Sequence, residues 1–239
     1  MNIQEATARL RERTAKLRFG GKVAYVYRPL EYAAALTGAY EARFGQGKKG
    51  TVFFGMNPGP FGMAQTGVPF GEVAFVRDWM KIDGVIVPPP PKTVHPKRPI
   101  LGLACTRSEV SGKRLWSAFA ARHPKPETFF ERAFVLNYCP LLFLAESGAN
   151  LTPDKLTREE RDAVEAICDD YVRDAVAALA PARLVGVGQY AEKRLRTVLG
   201  DGKAISSIPH PSPASPAANK DWAGLTRTAL QNAGIEGLM

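Results

Sequence analysis

Asn57, Asn137 and His210 are the residues whose types and neighbours could do chemistry. Asn57 comes directly after the apolar run TVFFGM (51–56) and precedes Pro58-Gly59-Pro60. Asn137 lies at the end of a second apolar run, AFVLNY (133–138), ahead of Cys139-Pro140. His210 follows a third, AISSI (204–208), and is clamped between Pro209 and Pro211, which restrict its backbone. Taken singly, each also reads as loop chemistry, because Asn beside proline is a common turn pattern. Taken together, two amides and an imidazole at the ends of neighbouring strands form a hydrogen-bonding set that contains no nucleophile. No Gly-x-Ser-x-Gly elbow or paired Cys/His pattern accompanies them, so covalent acyl chemistry is not indicated. The remaining histidines, His95 and His123, sit in Pro-flanked, basic stretches and read as incidental surface residues.

Other chemistries find less support. Cys105, Cys139 and Cys168 are spaced unlike any zinc pattern, and an iron–sulfur cluster normally takes four thiolates. No metal or cofactor is therefore expected, and the odd cysteine count suggests a reducing compartment. Gly186-Val-Gly188-Gln-Tyr-Ala191 formally matches a dinucleotide fingerprint, but no Asp or Glu ends a following strand about twenty residues on. Glycines at a strand–helix turn equally serve close packing. SEVSGKRL lacks the first glycine of a phosphate-binding loop and has Arg114 where Ser or Thr is required.

These residues need elements to position them. Runs at 51–56, 133–138, 183–188 and 204–208 read as buried strands. Helical patterns occupy 30–44, 72–80, 111–123, 189–199 and 221–233. Another begins at the capping box Thr157-Arg-Glu-Glu160, with Val164, Ile167, Tyr171, Ala175 and Leu179 inward. The N-terminal stretch reads as an amphipathic helix with Ile3, Ala6, Leu10 and Leu17 inward. The alternation predicts one α/β domain over 1–239, with a four-stranded, mainly parallel sheet between helical layers. Ligands of such sheets bind beyond the carboxyl ends of the strands, where 55–71, 137–140 and 209–220 would converge. Residues 55–71 hold five Gly, three Pro and no charge, which predicts a structured, partly buried loop with backbone close to a ligand. Residues 88–99 hold six prolines and read as a stiff surface excursion.

The 239 residues carry 32 Lys and Arg against 23 Asp and Glu, a net charge of +9 that points to a polyanionic partner. No apolar run is long enough to span a membrane. The compact chain, without tail or targeting signal, is expected in a prokaryotic cytoplasm, or in the nucleus if the source is eukaryotic.

GMNPGPFGMAQTGVPFGEV (55–73) and HPSPASPAANKDW (210–222) resemble the two signature segments of the single-strand-selective monofunctional uracil-DNA glycosylases, a family of the uracil-DNA glycosylase superfamily. RSEVSGKRLW (107–116) and NYCPL (137–141) are similar to that family as well, so the likeness runs over about residues 50–225. The mismatch-specific thymine/uracil branch lacks a histidine-led HPSP segment, and the iron–sulfur branches need cysteines that this chain lacks. The resemblance implies a three-layer α/β/α sandwich around a four-stranded parallel sheet. It implies a metal-free, monomeric enzyme that removes uracil, and 5-hydroxymethyluracil or related bases, from single- and double-stranded DNA, leaving an abasic site.

By matching position, the resemblance makes Asn57 the residue that orients the water and His210 the donor to uracil O2. It makes Phe70 the stacking ring and Asn137 the partner of N3–H and O4. Gly59, Pro60 and Met63 lie beside C5, where a hydroxymethyl group can displace a bound water that a methyl cannot replace. Ser212, Pro213, Ala214, Asn219 and Lys220 fall in the loop that meets DNA. Animal members carry Arg at the position of Ala214, as a wedge into the gap left by the flipped base. Ala214 leaves strand preference open. Two other readings stay open beside this one: a relative that prefers another deaminated base, and a non-catalytic binder of single-stranded nucleic acid.

Overall fold

A strand that is apolar on both faces needs cover above and below and partners alongside. The computed structural model, which describes residues 1–216 and 218–239, meets that need with a central sheet between helices. In chain order the elements are α1 (Ile3–Ala15), β1 (Tyr25–Tyr27), α2 (Pro29–Tyr32), α3 (Ala34–Phe44), β2 (Thr51–Gly55) and α4 (Met63–Thr66). A π-helical turn at Phe75–Trp79 is followed by α5 (Val110–Arg122), α6 (Pro126–Phe130), β3 (Ala133–Asn137), β4 (Leu142–Leu144) and β5 (Asn150–Leu151). The chain ends with α7 (Arg158–Leu179), β6 (Arg183–Val187), α8 (Gln189–Leu199), β7 (Ile205–Ile208) and α9 (Ala218–Asn232). Ala217, inside the expected 210–220 loop, lies outside the described residues.

The four apolar runs pair in the order β3-β2-β6-β7, all parallel. Phe53 lies in register with Val135 and Val185, while Val52 lies in register with Phe134 and Leu184. Alternation puts Phe53 and Phe134 on opposite faces. Tyr40 of α3 stacks on Phe134 with ring centroids 4.8 Å apart, and Phe119 of α5 packs on Phe53 at 5.3 Å. Helices therefore cover both faces, and the molecule is an α/β/α sandwich. The capping box forms as expected: Thr157 Oγ1 accepts from Glu160 N–H, and Glu160 accepts from Thr157 N–H.

Several elements differ from the sequence reading. The helix expected over 30–44 breaks at Ala33, whose φ of −108° and ψ of 24° leave the helical region. The break lets Tyr32 donate to Ala64 O at 2.6 Å. The 72–80 helix is a short turn of π type that ends on Trp79, whose indole donates to His123 O. Leu17 lies past the end of α1 and is only partly buried. A second, antiparallel sheet, β1-β4-β5, has strands too short to leave a pattern in sequence. His95 and His123 are not surface residues: their exposures are 4% and 7%. Each ties distant backbone together, His95 Nε2 to Glu146 O and His123 Nε2 to Gly237 O, both at 3.0 Å. Among the described residues, no helix is long and apolar enough to cross a membrane.

Candidate active site

The parallel strands β3, β2, β6 and β7 end at one edge, where the end of β3, the loops after β2 and β7 and the start of α5 line a cleft of about 200 Å³. Asn57, Gly59, Pro60, Met63, Phe70, Asn137, His210 and Ser212 all line it. Segments up to 155 positions apart thus meet because parallel strands deliver their following loops to one side (57 to 212). The cleft falls below the ~300–1,000 Å³ of ordinary ligand pockets, which suits one small ring rather than a dinucleotide. Gly186 has a different task. A Cβ there would lie 2.3 Å from Glu192 N, so the glycine lets α8 close onto β6.

Asn137 is 6% exposed. Its Nδ2 donates to Met63 Sδ at 3.1 Å, a weak acceptor. Its Oδ1 is among the buried polar atoms of the described residues that have no hydrogen-bond partner. A buried acceptor left unpaired costs about 1–3 kcal/mol, which a ligand N–H in the cleft would recover. Gly55, the last residue of β2, makes the arrangement possible. A Cβ there would lie 2.2 Å from Asn137 Oδ1 and 2.5 Å from Phe70 Cε2. The missing side chain lets the amide and the ring share one wall.

Phe70 has a φ of +54°, in the left-handed region that costs an ordinary residue about 1–2 kcal/mol. Its carbonyl is fixed by Trp116 Nε1–H at 3.0 Å and by Glu72 N–H at 2.7 Å. Gly112 of α5 lets the helix come this close, because a Cβ there would fall 2.1 Å from Phe70 O. The ring is thereby aimed at the cleft, with its centroid 6.2 Å from that of His210.

His210 Nδ1 accepts a hydrogen bond from Ser212 N–H at 3.1 Å. Burial holds the imidazole below its ordinary pKa, so the ring is neutral at neutral pH. With Nδ1 accepting, the proton sits on Nε2, and the ring offers a donor on its other side. Gly188, with φ +91°, gives room for this: a Cβ there would lie 3.1 Å from His210 Cβ. Asn57 touches its surroundings lightly, through Nδ2 to Leu141 O at 3.5 Å.

The expected DNA-facing residues divide. Pro213, Ala214 and Lys220 are exposed, and Ser212 is half-buried. Asn219 uses its amide inside the protein: Nδ2 donates to Pro213 O at 2.8 Å, and Oδ1 accepts from Arg114 Nη2 at 3.1 Å. These bonds leave Asn219 exposed, like Lys220 beside it.

The 107–116 stretch received no individual roles from sequence, yet it touches two of the three site segments, 55–71 and 209–220. Glu109 receives Phe61 N–H at 3.3 Å, Trp116 holds Phe70, and Arg114 Nη1 donates to Pro211 O at 3.0 Å. Arg107 lies 3.9 Å over the Phe61 ring, placing a cation and an aromatic face beside the cleft. The only hint in sequence is the run of Arg107, Glu109, Gly112, Arg114 and Trp116 itself. Among the described residues, no group of three His, Cys, Asp or Glu is placed to hold a metal ion.

The chain matches the uracil DNA glycosylase superfamily over residues 42–231. It is 47% identical over 234 residues to the single-strand selective monofunctional uracil-DNA glycosylase of Rattus norvegicus, covering 97% of this chain and 84% of that protein. The protein of the same name from Bos taurus is 46% identical over 230 residues, covering 95% and 84%. Among solved structures, the crystal structure of Pedobacter heparinus SMUG2 superposes with a TM-score of 0.63 at 17% identity, covering 95% of this chain and 94% of that one, a likeness of fold. The chain belongs to the single-strand-selective monofunctional family of the uracil DNA glycosylase superfamily.

Proposed function

We propose that the protein hydrolyses the N-glycosidic bond of uracil in DNA and leaves an abasic site in an uncut strand. The observation that carries this reading is the buried, unpaired Oδ1 of Asn137, which lines with the Phe70 ring a cleft that also holds the His210 donor. A uracil flipped into the cleft presents N3–H to that oxygen and O4 to Nδ2, with O2 toward His210 Nε2–H. Cytosine reverses the first two partners, leaving buried groups mismatched at about 1–3 kcal/mol each.

The reaction follows from the same groups. The C1′–N1 bond breaks with its electron pair on the base, and charge spreads to O2, where His210 Nε2–H stabilises it. The sugar takes on oxocarbenium character. Asn57 holds a water by its amide oxygen, and the water adds to C1′ and then loses a proton to solvent. An amide has no useful basicity, so departure of the base leads and attack by water follows. The net charge of +9 supports DNA as the polyanion bound. This reading takes the enzyme as a monomer acting on single- and double-stranded DNA.

The test is strand cleavage by alkali after incubation with a uracil-containing oligonucleotide, run beside a panel of modified bases. Wild type should generate alkali-labile sites at uracil. Asn57→Ala should lower single-turnover excision by about 10²-fold or more while DNA binding is kept, since the amide holds water and little else. Binding without excision by wild type would defeat the enzyme reading. Equal losses of binding and turnover in the variant would show that Asn57 only holds its loop.

A further inference from the structure

We propose that Glu109 is a specificity-determining residue, its carboxylate forming the wall against which the C5 substituent of the bound base is sized and its charge selected. The inference rests on the proposed uracil chemistry and adds a reader for the remaining edge of the ring.

Ring geometry locates that edge. Asn137 Nδ2, the donor to O4, already leans on Met63 Sδ. C5 is the ring atom next to the O4-bearing carbon, on the side away from O2 and therefore away from His210. Gly59 and Pro60, from the same loop as Met63, also line the cleft, and Glu109 lines it packed against Gly59. Gly59 has no side chain to offer, and the space beside its Cα is taken. A Cβ on Gly59 would lie 2.4 Å from Glu109 Oε2, and one on Gly62 would lie 2.9 Å from Glu109 Cγ. Glu109 therefore stands in for a side chain on the glycine loop, delivered from the start of α5. Phe61 N–H holds its Oε2 at 3.3 Å, which fixes the carboxylate toward the loop. No cation is within ion-pairing distance of it among the described residues. Burial pushes the carboxyl above its ordinary pKa, and neighbouring backbone amides draw it part of the way back. An acidic group placed without a counter-charge in a cleft for a polyanion is costly to keep. Its position gives it a use, because a wall of fixed size and negative charge resists a bulkier or anionic C5 group.

Single-turnover excision at pH 8 from oligonucleotides bearing uracil, 5-methyluracil or 5-carboxyuracil tests this, with melting temperature read for each protein. Glu109→Ala removes the wall, and its 5-methyluracil-to-uracil rate ratio should rise about tenfold over wild type, the scale of one methyl in a fitted pocket. Glu109→Gln keeps the shape and removes the charge. Its 5-carboxyuracil-to-uracil ratio should rise about tenfold, with little change in the 5-methyluracil ratio. A purely structural Glu109 would lower melting temperature and all rates together and leave both ratios where they were. That outcome overturns the assignment, and if Glu109→Ala does not fold, the Glu109→Gln ratio alone decides. Failure of wild type to excise uracil defeats the proposed function and this inference with it. Excision by wild type with unmoved ratios defeats only the inference.

Discussion

At the scale of single residues, the cleft is arranged before any base enters. His210 is fixed in one tautomer by Ser212 N–H, and Asn137 is fixed by Met63 with an acceptor left over. Donors and acceptors that need no rearrangement give their full effect when charge develops. The base reader can be tested by a change that keeps its shape. Asn137→Asp removes the donor to O4 and, when ionised, turns two acceptors toward uracil. Single-turnover excision of uracil should fall by about 10²-fold or more, while cytosine should gain relative to uracil. Matched uracil and cytosine oligonucleotides, compared in wild type and variant, give the ratio. An unchanged ratio would remove Asn137 from the role of reader.

At the scale of elements, α5 organises the cleft although it supplies few of its polar groups. Through Arg114 it anchors the loop that follows His210, and Asn219 closes that loop on itself. Ala214 is left exposed. A long cation placed there should fill the stack vacated by a flipped base and touch phosphate. Ala214→Arg is therefore expected to raise excision from duplex relative to single-stranded uracil DNA by about tenfold, with both substrates measured at one salt concentration. A constant duplex-to-single-strand ratio would mean that position 214 does not reach the stack. The strands β2, β3, β6 and β7 are legible in the sequence because each is a continuous apolar run bounded by turn residues. Asn57, Asn137 and His210 are legible because they follow those runs. Glu109 is not, since a glutamate just before a helix looks like an ordinary helix start. Only the fold brings it against a glycine fifty positions earlier (59 to 109). The break at Ala33 is hidden for the same reason, because the bond that accompanies it, Tyr32 to Ala64 O, joins residues far apart in sequence.

At the scale of the whole molecule, a buried acid couples stability to pH. Glu41 of α3 is 5% exposed and accepts from Thr7 Oγ1–H at 2.5 Å. Burial raises its carboxyl to about 8, although the Thr7 bond and Arg11 act to lower it. The folded protein therefore binds a proton there that the unfolded chain releases near the ordinary value of 4.5. The associated stability is full below about 4.5 and is lost as pH rises through about 8. Glu41→Gln carries no titrating proton. Denaturant unfolding of both proteins should show the variant gaining on wild type by a few kcal/mol (~1.4 per unit) between pH 5 and pH 9. A difference independent of pH would show that Glu41 keeps its charge in the fold.

Gly55 draws the three scales together. The reader amide and the stacking ring both occupy the space where its side chain would begin. Any replacement pushes on two working parts at once, at a strand end where the remaining sheet can still form. In a survey of random substitutions scored by repair, this position would therefore be as intolerant as Asn57 or His210. A geneticist ranking residues by lost function would place among the catalytic groups one that has no side chain at all.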